Sequence, residues 1–176
     1  APIAGDAAMA VARTAALQSV VMLKNDARVL PLAAGETTSL AVIGPLADAP
    51  YEQLGTWIFD GDQGLSVTPL RAIRNLVGDS VDVRFVEAMA TSRSRETGRF
   101  DDAVAAARNS DAAILFLGEE SILSGEAHCR AAIDLPGAQA DLVRRVREAG
   151  KPVIAVILAG RPLTLTNIVD DVDAIL

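Results

Sequence analysis

The chain has 176 residues, 51% of them hydrophobic and 22% charged, which excludes a disordered chain and supplies a core without disulfide or metal staples. Sixteen Lys and Arg against 23 Asp and Glu give a net charge of −7 with no basic stripe for a phosphate backbone, so no nucleic-acid partner is expected. The longest apolar runs, Ala112–Leu117 and Val153–Ala159, are far too short to span a bilayer, and no membrane partner is expected.

In chain order, the first segment, Ala7 to Met22, reads as a long helix whose one charge is Arg13, so burial on more than one side is expected. Residues 1–24 are taken as a leading helix that packs on the domain, and residues 25–176 as the domain itself. Leu40–Ile43 then reads as a buried strand, followed by a helix over Leu70–Leu76 that Thr68-Pro69 opens. Val81–Val86 alternates and reads as an edge strand, and Asp101–Arg108 is an Ala-rich helix with Phe100, Val104 and Ala107 on one face. Ala112–Leu117 is a continuous apolar run, as parallel strands covered on both faces are. The helix Ala138–Glu148 turns Leu142, Val143 and Val146 inward and stops at Gly150 and Pro152. Val153–Leu158 is another apolar strand, and a fifth begins at Asp173–Leu176. This alternation predicts an α/β fold: an open, mostly parallel sheet of about five to six strands, layered by helices on both faces. Strand order is not readable. Ala1–Asp6 lacks the basic start and apolar block of a signal peptide, and the last apolar run stops mid-stride, so the chain is expected to be a fragment truncated at its C-terminus.

Ligands of such sheets sit beyond the carboxyl ends of the strands. There, Gly44-Pro45-Leu46-Ala47-Asp48 is neither G-x-G-x-x-G nor a phosphate loop, so nucleotide binding is disfavoured and no cofactor is implied. His128 and Cys129 are the sole His and Cys, too few for a zinc site, and no metal is expected. Cys129 also excludes an internal disulfide and leaves the compartment open. No G-x-S-x-G elbow supports a serine nucleophile.

The better signal follows the third strand, where nearly 20 residues precede the next helix, beyond the usual 2–6. Glu119 and Glu120 come directly after the strand, so at least one should point into the crevice. Glu126 stands between Gly125 and Ala127, mobile and unobstructed. A carboxyl group on such a loop suits proton transfer at a glycosidic oxygen, although surface carboxylates outnumber catalytic ones. Aromatics are 3% of the chain, so Trp57 has few rivals as a stacking platform.

Ser19-Val20-Val21-Met22-Leu23-Lys24-Asn25 with Leu30-Pro31-Leu32 resembles the S-x-V-L-L-K-N … L-P-L opening of the second domain of glycoside hydrolase family 3. Ala41 to Ala47, Gly55-Thr56-Trp57, Val67-Thr68-Pro69-Leu70, Gly118-Glu119 to Ser124-Gly125-Glu126-Ala127, Ile133 to Gln139 and Gly160-Arg161-Pro162 continue the match in order, across residues 9–176. The resemblance implies one domain of a retaining, exo-acting β-glycosidase of β-glucosidase type. In that family a TIM-type barrel carries an aspartate nucleophile, and an α/β sandwich supplies the acid/base. Glu126 matches the acid/base position, with Glu119 as the fallback; Trp57 matches a tryptophan near the sugar subsites, and Phe59 is the nearest candidate for a further aromatic. Arg130 and Arg161 are expected to stabilise the loop and the strand end. The implied partners are a β-linked glucoside or oligosaccharide and an N-terminal barrel of the same polypeptide, without which this chain is expected to be inactive. The competing reading is a non-catalytic α/β module that holds a sugar or small polar ligand with Trp57 and the acidic loops.

Overall fold

A computed structural model describes residues 5–26 and 28–176; the first four residues of the leading segment and residue 27 lie outside the described residues. The elements are α1 (Asp6–Ser19), β1 (Ser39–Ile43), α2 (Pro69–Val77), β2 (Asp82–Val86), α3 (Phe100–Arg108), β3 (Ala112–Gly118), α4 (Gln139–Arg147), β4 (Val153–Leu158) and β5 (Ala174–Ile175). The five strands form one parallel sheet in the order β2-β1-β3-β4-β5, which puts the alternating strand at an edge as its pattern predicts.

Both faces of the sheet are covered, and this explains the unbroken apolar runs. Successive residues of β1 and β3 point to opposite sides, as strand geometry requires. Ala41, Ile43, Leu115 and Leu117 meet the inward stripes of α3 and α4, where Phe100, Ala103, Leu142 and Val146 are buried. Val42 and Phe116 face the other way onto Leu70 and Ile73 of α2. That helix starts where the sequence says it should: the Thr68 hydroxyl accepts from the Arg71 amide, and Pro69 occupies the first turn.

Helix α1 departs from the expectation. It ends at Ser19 rather than Met22, and none of its residues is buried. The apolar positions of a helix are covered only where another element lies against them, and among the described residues no element buries those of α1. Beyond it the backbone is extended, and Lys24 makes an antiparallel bridge to Ile175, with the Ile175 amide donating to the Lys24 carbonyl at 2.9 Å and the Leu23 amide to the Ile175 carbonyl at 2.8 Å.

The two ends of the sheet are finished differently. At the amino end the Asp111 carboxylate accepts from the Thr38 amide at 2.8 Å, the Thr38 hydroxyl at 3.0 Å and the Ser39 amide at 2.9 Å. These bonds, led by that from the Thr38 amide, hold its pKa down to about 2. At the carboxyl end β3 closes on Gly118, whose φ is +134° and where a Cβ would stand 1.8 Å from the Leu158 carbonyl oxygen. Only glycine lets the β3 and β4 backbones converge so closely.

Candidate active site

The carboxyl ends of β3 and β4 open into a cleft of about 780 Å³ that Trp57, Glu119, Glu120 and Gly125 help to line. Its position beyond the strand ends is where a doubly covered parallel sheet takes its ligand. Each wall is held by bonds that cross long stretches of sequence.

The floor rests on Gln139. Its side-chain amide is fully buried, donates to the carbonyls of Ser92 at 2.9 Å and Gly118 at 2.8 Å, and accepts from the Gly118 amide at 2.8 Å. Gln139 sits on the inward stripe of α4 with Leu142, Val143 and Val146. That is the signal sequence reasoning passed over: a polar residue at i, with apolar ones at i+3, i+4 and i+7, is there to satisfy buried backbone groups.

Glu119 and Glu120 both line the cleft, as their place after the strand predicts, and both are already partnered. Glu119 is 5% exposed; one carboxylate oxygen accepts from Arg130, the other from Nε of Arg161 at 3.2 Å. Arg130 and Arg161 thus sit where loop and strand end are stitched together. Glu120 accepts from the Ser92 hydroxyl at 2.7 Å and from Nε of Arg93 at 3.1 Å. Burial pushes the Glu120 carboxyl up, but the bonds from Arg93 and Ser92 outweigh it and leave the group below its ordinary pKa. The Arg93 guanidinium is held above its own ordinary value by the bond to Glu120.

Trp57 lines the cleft and is 66% exposed. The loop before it is fastened to the acidic loop: the Thr56 hydroxyl lies 2.6 Å from the Ser121 carbonyl and 2.9 Å from that of Ser124, and Glu52 accepts from the Ser121 amide. The fit is tight. A Cβ on Gly125 would lie 2.4 Å from Cγ2 of Thr56, and Gly125 takes φ +112°. Glu126 is the next residue; it is exposed, and no hydrogen bond or ion pair engages its carboxylate among the described residues. Phe59 is 94% exposed and takes no part in lining the cleft. Among the described residues no three His, Cys, Asp or Glu side chains gather as a metal site, and no helix is long and apolar enough to cross a membrane.

The cleft thus brings together the Trp57 indole and the arginine-bound Glu119 and Glu120, while Glu126, one residue beyond Gly125, is not among the residues that line it. Residues 20–176 match the family described as Glycosyl hydrolase family 3 C-terminal domain, and the chain belongs to that family. It is 38% identical over 163 residues to a beta-xylosidase of Formosa agariphila, covering 90% of this chain and 22% of that protein. To the periplasmic beta-glucosidase of Salmonella typhimurium it is 34% identical, over 94% of this chain and 24% of that protein. The beta-glucosidase from Listeria innocua, solved in complex with glucose, has a TM-score of 0.85 at 34% identity, over 98% of this chain and 23% of that one. The chain spans about a quarter of these relatives' length.

Proposed function

We propose that this chain is the domain of a retaining, exo-acting β-glycosidase that supplies the general acid/base, Glu126, while a TIM-type barrel of the same polypeptide supplies an aspartate nucleophile. The observation that carries the reading is the contrast among three carboxylates on one loop. Glu119 and Glu120 are held by arginines, whereas Glu126 stands exposed beside Gly125 with its carboxylate unengaged. A group that must give up a proton and then take one back works best without a fixed cation. Trp57, which lines the cleft, offers an apolar face for a sugar ring, and Phe59, exposed outside that lining, is the candidate for a further aromatic. Relatives named for β-glucoside and β-xyloside cleavage support a β-linked substrate, with a β-glucoside as the default.

In the first step the barrel aspartate attacks the anomeric carbon as Glu126 protonates the departing oxygen, and a covalent glycosyl-enzyme forms. In the second, Glu126 as a carboxylate takes a proton from water, which displaces the aspartate and restores the sugar's configuration. Retention requires the two carboxyl groups about 5–5.5 Å apart, so the loop must reach the barrel. The chain alone, with half of the pair, hydrolyses nothing.

The test is made in the full-length protein. Glu126→Ala lowers kcat/KM for glycosides with poor leaving groups by about 10²- to 10⁴-fold and spares activated ones. Azide restores turnover and yields a β-glycosyl azide. Trp57→Ala raises KM by about tenfold, roughly one aromatic contact's worth. Unchanged hydrolysis of poor substrates by Glu126→Ala refutes the assignment. Loss of sugar affinity at Trp57→Ala, with no hydrolysis in the unaltered protein, favours a binding module instead.

A further inference from the structure

Arg161 follows β4, yet its side-chain bonds are all made to the loop after β3. Nε donates to Glu119 at 3.2 Å, while Nη2 donates to the Leu123 carbonyl and, at 2.9 Å, to that of His128. Leu123 and His128 are the two feet of the turn that has Glu126 near its tip. One guanidinium nitrogen therefore draws both feet together. Nδ1 of His128, 2.9 Å from the Ser124 carbonyl, closes the same turn from within. At the tip the Gly125 carbonyl accepts from the His128 amide at 3.2 Å, but among the described residues no side chain bonds Glu126 or Ala127; both are exposed, and Ala127 takes φ +63°, which is uncommon for a non-glycine residue.

The anchor is oriented in turn. Glu119 is buried and gives one oxygen to Arg161 and the other to Arg130, whose Nη2 also donates to the Asp134 carbonyl at 3.0 Å. A planar fork can satisfy several acceptors at once in a fixed geometry, which an ammonium on a flexible stem cannot. We propose that Arg161, oriented by Glu119, is a positioning residue: it staples the Leu123–His128 turn and so sets where the Glu126 carboxyl stands at the lip of the cleft. The inference rests on the acid/base reading of Glu126. It matters because a displacement of about 1 Å at a catalytic group costs about 10²-fold in rate.

The experiment compares kcat/KM for dinitrophenyl and phenyl β-glycosides, glucosides or xylosides according to which the unaltered full-length protein turns over. Arg161→Lys keeps the positive charge beside Glu119 but offers one nitrogen in place of two, which cannot stand at both the Nε and the Nη2 positions. Its expected loss is about 30-fold on the phenyl glycoside and under about threefold on the dinitrophenyl glycoside, whose departure needs no proton. Placed on a Glu126→Ala background, Arg161→Lys changes the phenyl rate by less than about twofold, because its effect passes through Glu126. Equal losses on both glycosides, or a full further loss in the double variant, overturn the proposal and leave Arg161 a purely structural residue. Should Arg161→Lys fold poorly, Glu119→Gln replaces it; the same leaving-group selectivity at about fivefold supports the proposal, and its absence overturns it. If Glu126→Ala alone is not selective for poor leaving groups, the acid/base reading fails on its own evidence and the proposal falls with it.

Discussion

The foot and the tip of the loop after β3 carry the same side chain in opposite circumstances. Glu119 is buried and shared between two guanidinium groups; Glu126, seven residues on, is exposed and bonded to nothing described. Two identical side chains of one loop are thus held in opposite environments. A carboxylate fixed between cations lends its charge to the architecture, whereas one left in solvent has no structural partner to give up.

Removing each carboxylate in turn puts this contrast to its strongest test. Glu119→Ala strands Arg130 and Arg161 against a carboxylate-sized gap and is expected to destabilise the chain by about 3 kcal/mol, read by urea unfolding. Glu126→Ala is expected to leave the unfolding midpoint unmoved, with its whole effect on rate. Equal stability losses at both positions would erase the distinction.

A smaller effect is expected at Gln139, whose amide serves the same strand end without any charge. Gln139→Leu keeps the apolar packing of α4 but leaves the Gly118 and Ser92 backbone groups unpaired, for a loss of about 2 kcal/mol. A cost near zero would mean that the foot of the loop is held by its ion pairs alone.

The smallest effect is at the far end of the sheet. Asp111, with a pKa of about 2 against an ordinary 3.8, binds its proton less readily when the chain is folded. Its contribution is complete above the unfolded value and disappears as pH falls through the folded one, between about pH 4 and pH 2. Asp111→Asn should therefore flatten the fall of stability with pH in that window, with Glu120, shifted in the same direction, retaining part of the slope. An unchanged slope would show that Asp111 is no more a structural carboxylate than Glu126.

The sheet was legible because its runs are apolar enough to be read without a partner: β1, β3 and β4 lie within one residue of Leu40–Ile43, Ala112–Leu117 and Val153–Leu158. Helix α1 is shorter than its apolar run suggests, ending at Ser19, and none of its residues is buried within this chain. Its Ala and Val content says that it tolerates cover, not that this chain provides any. The loop after β3 and the glutamates in it stood out by length and charge. The network that divides them did not, since Arg161 lies 42 residues from Glu119 and Gln139 lies 47 from Ser92. Pairings at that separation leave no periodic trace, and neither does strand order. The one local clue was a glutamine on an apolar stripe.

The antiparallel bridge at Lys24 has a consequence for the handling of this domain. Without it, β5 would end the sheet with the Ile175 amide and carbonyl free to pair with a strand of another molecule. Residues 23 and 24 occupy both groups, so they act as a built-in guard against edge-to-edge aggregation. Trimming the chain to begin after residue 24 would remove that guard and leave a sheet with a sticky margin.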